Sequence, residues 1–205
     1  VSRYREDLRA LWFGLLLSLG TLLLGFGLGI VFGAAERPLR ASLTQLAEES
    51  IATTPPPDGP STSVEARVEK AWTFLRRSHL HAGAMATTSI ALISLAPLLG
   101  GHVRVRRMIS SLLGLGSLGY SVFLIAAALR TPVMGDPLAA KESLRWLAMP
   151  SAGVYVIAVL VFTLLATRWV FQGAGRQNAE RPKVVVTARG VPIGRPMEAA
   201  ASNGR

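Results

Sequence analysis

The amino-acid sequence predicts an all-α integral membrane protein: a four-helix bundle with an extracytoplasmic helical hairpin between its first and second spans. Three observations carry this. Half of the 205 residues are hydrophobic, yet 22 Lys and Arg stand against 12 Asp and Glu, gathered between long apolar blocks. Four such blocks run about 20 residues or more, and at a 1.5 Å rise that length crosses roughly 30 Å of hydrocarbon. The basic residues, moreover, favour alternate connections, as the loops of a polytopic protein do.

Taken in order, residues 1–10 form a short flank carrying Arg3, Arg5 and Arg9. The first span, residues 11–33, reads "LWFGLLLSLGTLLLGFGLGIVFG" and holds no charge. Its apolar core exceeds the roughly 7–15 residues of a cleavable signal, so it is expected to stay in the chain as a helix. Residues 34–78 are too long and too patterned for a plain loop. Pro38 suits a first helical turn, and Leu39, Leu43, Leu46 and Ile51 recur at helical spacing. "TTPPPDGP" then breaks the helix. Thr62 and Glu65 stand in capping-box register for a second helix, whose Val64, Val68, Trp72 and Leu75 form one apolar stripe. This region is therefore expected to be an amphipathic helical hairpin. No breaker separates its second arm from the second span, residues 79–101, so one continuous helix from about Ser63 to Pro97 is expected.

Residues 102–107 form a short basic loop with Arg104, Arg106 and Arg107, followed by the third span at 108–129. A loop at 130–146 and the fourth span at 147–171 complete the bundle, and Pro150 is expected to kink that last helix. Residues 172–205 are polar, basic and rich in Gly and Pro, and are expected to be disordered. The N-terminal flank, the loop after the second span and the tail, counted with Arg168 at the end of the fourth span, together hold 13 Lys and Arg against four acids. The other two connections hold nine against eight. Positive residues mark the cytoplasmic side, so both termini are expected in the cytoplasm of a bacterium, the protein lying in its cytoplasmic membrane.

Composition also excludes. The chain has no cysteine, which removes disulfides, thiolate metal sites, iron–sulfur clusters and a Cys nucleophile. The basic charge has no aromatic-interleaved, zinc-finger or P-loop pattern around it, so nucleic acid is not expected as a partner. The membrane cores hold no Asp or Glu, which counts against a proton relay or ion-coupled pump. No Ser/His/Asp set or paired carboxylates can be placed, and the chain is read as non-enzymatic.

Two groups of residues remain. Gly25, Gly29 and Gly33 fall four apart on the first span, and Gly114 follows Ser110 at the same interval on the third, near Gly116, Ser117 and Gly119. Such faces let helix backbones approach closely, within the bundle or, in the sharper reading, against a second copy or another subunit of a membrane complex. The histidines are the other group. His79 and His81 open the second span, but residues two apart on a helix point about 200° apart, so both cannot serve one metal from regular helical positions. His102 is 21 residues from His81, roughly 30 Å along a helix. One ligand site near the outer end is compatible with this. It would use His81 or His79, with a methionine such as Met149 or Met134 reaching in from the outer end of another span; haem iron accepts such a set, and copper is the second choice. Interfacial hydrogen bonding is the alternative for both histidines. Lys141, Arg145 and Trp146 read as an interfacial turn with snorkelling cations, or else as a rim of a site lined by His81 and Tyr120.

At "RRSHLHAGAMATTSIALISL", residues 76–95, the chain resembles the helix of haem–copper oxidase subunit I that supplies a low-spin haem ligand. It is also similar there to small bacterial four-helix membrane proteins with a His-x-His helix opening. "GLGSLGYSVFLIAAAL" and "AKESLRWLAMPSAG" look like the third and fourth spans of such proteins. The resemblance implies a b-type haem with His79 or His81 as its ligand. It does not extend to oxygen reduction, for which the further histidines are lacking. Two functions are thus expected to compete: haem-based electron transfer, and a cofactor-free structural or assembly subunit. A transporter ranks third, because the membrane cores lack charge.

Overall fold

The computed structural model of the chain describes residues 2–53, 63–99 and 102–179, with side chains described between residues 4 and 171. Every regular element among these residues is a helix: α1 (Ser2–Ala10), α2 (Trp12–Thr53), α3 (Val64–Leu95), a 3₁₀ turn (Ala96–Leu99), α4 (Val103–Met134), α5 (Pro137–Glu142) and α6 (Arg145–Ala179). Four stretches are long and apolar enough to cross a membrane: Trp12–Thr53, Val64–Leu99, Val103–Met134 and Arg145–Phe171. Residues up to Thr167 form one compact unit, and a second begins at Arg168. The Pro-rich break at 54–62 and the tail beyond residue 179 lie outside the described residues.

The helices are longer than the spans. α3 and α4 have 32 residues each, about 48 Å, against a hydrocarbon thickness of roughly 30 Å. α2 has 42 residues and bends at Ala35, whose φ of −134° and ψ of 26° leave the helical region. Pro38 follows within one turn of that bend, where its missing N–H costs least. α3 runs without a break from Val64 into the span, as the absence of any Pro or Gly before Gly83 requires. Its cap is Ser63, which accepts from the Ala66 N–H at 3.3 Å, one residue beyond the expected Thr62. Residues 103–107, expected in a loop, are helical, because α4 starts directly at Val103 behind an extended His102. Residues 172–179, expected within a disordered tail, continue α6 as helix. Pro150 lies early in α6 and does not interrupt it.

Two apolar cores stack along the bundle. The first joins Leu43 of α2, Val68, Trp72 and Leu75 of α3, Phe123 and Leu124 of α4, and Leu144. It ties the region after Ala35 and the first half of α3 to the second half of α4. Arg40 strengthens this core from outside: its guanidinium lies 4.5 Å from the Trp72 ring centroid and pairs with Glu36 at 2.9 Å and Glu69 at 3.1 Å. The second core joins Leu11, Ile93, Ile109, Leu113, Ala158 and Phe162 at the opposite end.

Gly135 closes α4 with φ 69°, the one positive φ among the described residues. A Cβ there would stand 2.7 Å from the guanidinium carbon of Arg67, so glycine serves both the left-handed cap and the buried arginine beneath it. Arg67 donates to the Pro132 carbonyl at 3.4 Å. Asp136 then caps α5, accepting from the Leu138 and Ala139 N–H groups at 2.8 and 3.2 Å.

Candidate functional site

Within the spans the contact surfaces are built from small and hydroxylic residues. α2 buries Gly14, Ser18, Thr21 and Gly25; α4 buries Ser110, Gly114, Ser117 and Ser121. Both sets step four, three, four, which is the 3.5-residue seam of helices crossing at a shallow left-handed angle. The backbones meet closely there. A Cβ on Gly14 would fall on the Ser110 carbonyl, and one on Gly114 would lie 2.7 Å from the Gly14 carbonyl oxygen. The other side of α4 repeats the device toward α6. A Cβ on Gly116 would lie 2.7 Å from the Tyr155 Cβ, and one on Gly119 would fall on the Ser151 hydroxyl. Close approach on two sides makes α4 the central helix.

Polar side chains at these seams donate to main-chain carbonyls of neighbouring helices. Ser110 donates to Leu11 at 3.0 Å, Ser78 to Ser121 at 3.0 Å, Ser89 to Leu113 at 3.4 Å, and Tyr155 to Met85 at 3.2 Å. Other hydroxyls turn back onto their own helix, Ser18 onto Gly14 and Thr21 onto Leu17, both at 2.8 Å. In lipid, where no water can compensate, each such bond removes a hydroxyl that would otherwise be orphaned.

His79 belongs to this series. Its Nδ1–H donates to the Gly25 carbonyl of α2 at 2.8 Å, and its ring meets Phe32 edge-on with centroids 5.7 Å apart. A Cβ on Gly29 would stand 3.0 Å from the His79 Cε1. Gly25 faces Ala82 and Gly83. The first two glycines of the expected stripe thus admit α3, His79 included. Gly33 differs: a side chain there would meet nothing within 4 Å. It sits just before the Ala35 bend on an exposed face and takes no part in the packing of α2 against α3 among the described residues.

His81 points elsewhere. Its Nδ1–H donates to Arg77 of its own helix at 2.8 Å, and its ring lies against Tyr120 of α4, centroids 5.5 Å apart. Met149 on α6 is 62% exposed, and Met134 at the end of α4 is 44% exposed. The two histidines therefore serve different helix pairs, as a two-residue step dictates. Among the described residues no three His, Asp or Glu side chains gather as a metal site. His79 and His81 do not converge on one ligand position.

Three features escaped the sequence reading. Gly14 lies four residues before Ser18 in a seam mixing glycine with hydroxyls, so a search for glycine spacing alone passes over it. Arg67 looks like an ordinary hairpin cation and is buried. Arg106, counted only as a loop charge, is also buried and pairs with Asp7 of α1 through NH2 at 2.8 Å and NH1 at 3.3 Å.

Four long apolar helices packed through small-residue seams define a polytopic helical membrane protein in contact with the lipid bilayer. Comparison of the chain with protein-family models, with curated proteins and with solved structures found no match in any of the three.

Proposed function

We propose that the protein is a non-enzymatic structural or assembly subunit of a membrane complex in the bacterial cytoplasmic membrane, with both termini cytoplasmic. One observation carries this reading. The core of Leu43, Val68, Trp72, Leu75, Phe123 and Leu124 extends the bundle well beyond a bilayer's thickness. On the proposed orientation this charged half stands on the extracytoplasmic side as a platform, held rigid because its helices are the spans themselves. Around it lie exposed apolar side chains, Val133, Met134 and Leu138, of the kind partner subunits cover. The polar groups of the spans, spent on interhelical carbonyls, support a holding role over a transporting one.

The absence of cysteine makes the test clean, since each introduced thiol is unique. Single cysteines at Leu138 and Glu48 are expected to cross-link, in native membranes, to a partner that also co-purifies at fixed stoichiometry. Cysteine at lipid-facing Leu164 should give no such product. A protein that purifies alone, with no cross-link from either platform position, would overturn the reading.

A second reading keeps haem with a single protein ligand. It is favoured by the Nδ1–H bonds of His79 and His81 to carbonyls, which fix the tautomer that leaves Nε2 as the free lone pair. His81 is the better placed, because His79 is wedged against Gly29. An absorption spectrum of protein expressed with haem supplied, oxidised and then reduced, decides it: a Soret band lost in His81→Ala supports haem, and a colourless protein ends it.

A further inference from the structure

At the end of the bundle opposite the platform there is a cavity of about 180 Å³. Its walls include Leu99, Ile109, Phe162 and Leu165, and His102 and Arg106 complete the lining. The volume is below the roughly 300 Å³ at which sites for whole small molecules begin. It suits a stretch of a flexible chain, and its walls are almost wholly apolar.

The polar part of the lining is unusual. The Arg106 side chain is 10% exposed, and it already gives NH1 and NH2 to Asp7 and NH1 to the Pro97 carbonyl. Its Nε–H is buried and has no partner among the described residues. A buried donor left unpaired is costly, and in a native site it signals a missing acceptor. His102, on the cavity wall, and Arg104, two residues further along, are exposed, and Arg107 donates to the Ala10 carbonyl from the same turn of α4. Asp7 is the acid engaged here, so cationic charge exceeds anionic around the cavity. Leu99 ends one membrane-crossing stretch and Val103 begins the next, the depth at which lipid headgroups meet hydrocarbon.

We infer that this cavity and its basic rim form a binding site for an acidic phospholipid of the surrounding bilayer. A segment of one acyl chain lies against Leu99, Ile109, Phe162 and Leu165. The headgroup phosphate takes the rim, where Arg104 supplies exposed charge; the enclosed Nε–H of Arg106 joins it only when that side chain shifts. Basic recesses between spans are suited to anionic headgroups on general electrostatic grounds.

The test uses the full chain in detergent, titrated with phosphatidylglycerol or with phosphatidylcholine of the same acyl chains, and read by native mass spectrometry. Phosphatidylglycerol is expected to fill one saturating site and phosphatidylcholine to bind more weakly. Arg104→Ala should weaken phosphatidylglycerol about fivefold and leave phosphatidylcholine unchanged. Leu99→Trp and, independently, Leu165→Trp fill the cavity and should remove the saturating site; two positions on different helices guard against one variant failing to fold. Equal binding of the two lipids, or unchanged phosphatidylglycerol binding in a folded filled variant, would overturn the proposal. Displacement of the lipid by inorganic phosphate alone would assign the rim to a free anion and overturn it as well.

Discussion

His79 of α3 donates its Nδ1–H to the main-chain carbonyl of Gly25 on α2, 2.8 Å away, and Gly29, one turn further along, leaves the space its ring occupies. A helix junction is thus made from a polar ring on one side and two absent side chains on the other. The opening His-x-His of the second span divides its labour accordingly, one ring toward α2 and the other against Tyr120 of α4.

Gly29 and Gly33, identical in chemistry and one turn apart, should behave differently. Gly29→Leu forces its Cβ to within 3.0 Å of the His79 ring, which must shift and lose its carbonyl. The expected cost is about 1–3 kcal/mol, as for other overpacked contacts. Gly33→Leu meets open space and should stay within about 0.5 kcal/mol of the parent. Reversible unfolding in mixed micelles measures both, and equal effects would refute the junction.

Gly14 and Gly114 should tolerate even less. Their obstructing neighbours are backbone atoms of Ser110 and Gly14, which cannot rotate aside as a side chain can. Gly14→Val and Gly114→Val are expected to separate α2 from α4 and lose more than about 3 kcal/mol. Gly20→Ala and Gly27→Ala face nothing within 4 Å and should be neutral, or stabilising by up to about 1 kcal/mol from helix propensity. Cross-linking of engineered thiol pairs between α2 and α4 would report the separation directly.

Four spans and an unbroken third helix were legible in the sequence because both depend on local properties. Apolar length selects the bilayer, and a stretch without Pro or Gly from Ser63 to Ala82 offers nothing to stop a helix. The limits of α4 were less legible, since Arg104, Arg106 and Arg107 look like loop residues by charge while being good helix formers. The seams were half legible. Spacing identifies a stripe of small residues, but only the neighbouring helices distinguish Gly29, which meets His79, from Gly33, which meets nothing within 4 Å, and add Gly14. Arg106 and Asp7, 99 positions apart, had no local signature at all.

The core around Trp72 should be especially sensitive to loss of a side chain. Trp72 is 4% exposed, touches Phe32 with ring centroids 5.1 Å apart and carries Arg40 on its face. Trp72→Ala is expected to cost about 3–5 kcal/mol through cavity formation. Arg40→Ala should cost only about 1 kcal/mol, because its ion pairs are solvent-screened and the cation–π contact is at a partly exposed site. Hydrogen exchange is the informative readout: Trp72→Ala should raise exchange in residues 36–50 and 64–75 while leaving 84–95 protected. Uniform loss of protection would mean that the two cores unfold as one.

Arg106 and Asp7 join α1 to α4 by a two-point contact, with Arg106 nearly enclosed and Asp7 33% exposed in its side chain. The two halves of the pair should therefore respond unequally to removal. Asp7→Asn leaves a buried guanidinium without its counter-ion, facing only neutral acceptors such as the Pro97 carbonyl and the new amide oxygen, whereas Arg106→Met returns a partly exposed carboxylate to water and puts a flexible apolar chain beside the cavity. Breaking a fully buried pair costs roughly 3–5 kcal/mol; the exposure of Asp7 lowers the expected loss for Asp7→Asn to about 2 kcal/mol. Arg106→Met should cost about 1 kcal/mol or less, since replacing a buried ion by a well-packed apolar side chain is often neutral. Thermal unfolding of both single variants and the double variant measures the order and the coupling. A larger loss for Arg106→Met than for Asp7→Asn would mean that desolvation of the arginine is not what the aspartate offsets, and that α1 is held mainly by Tyr4 on Ser94 and Arg107 on Ala10 instead.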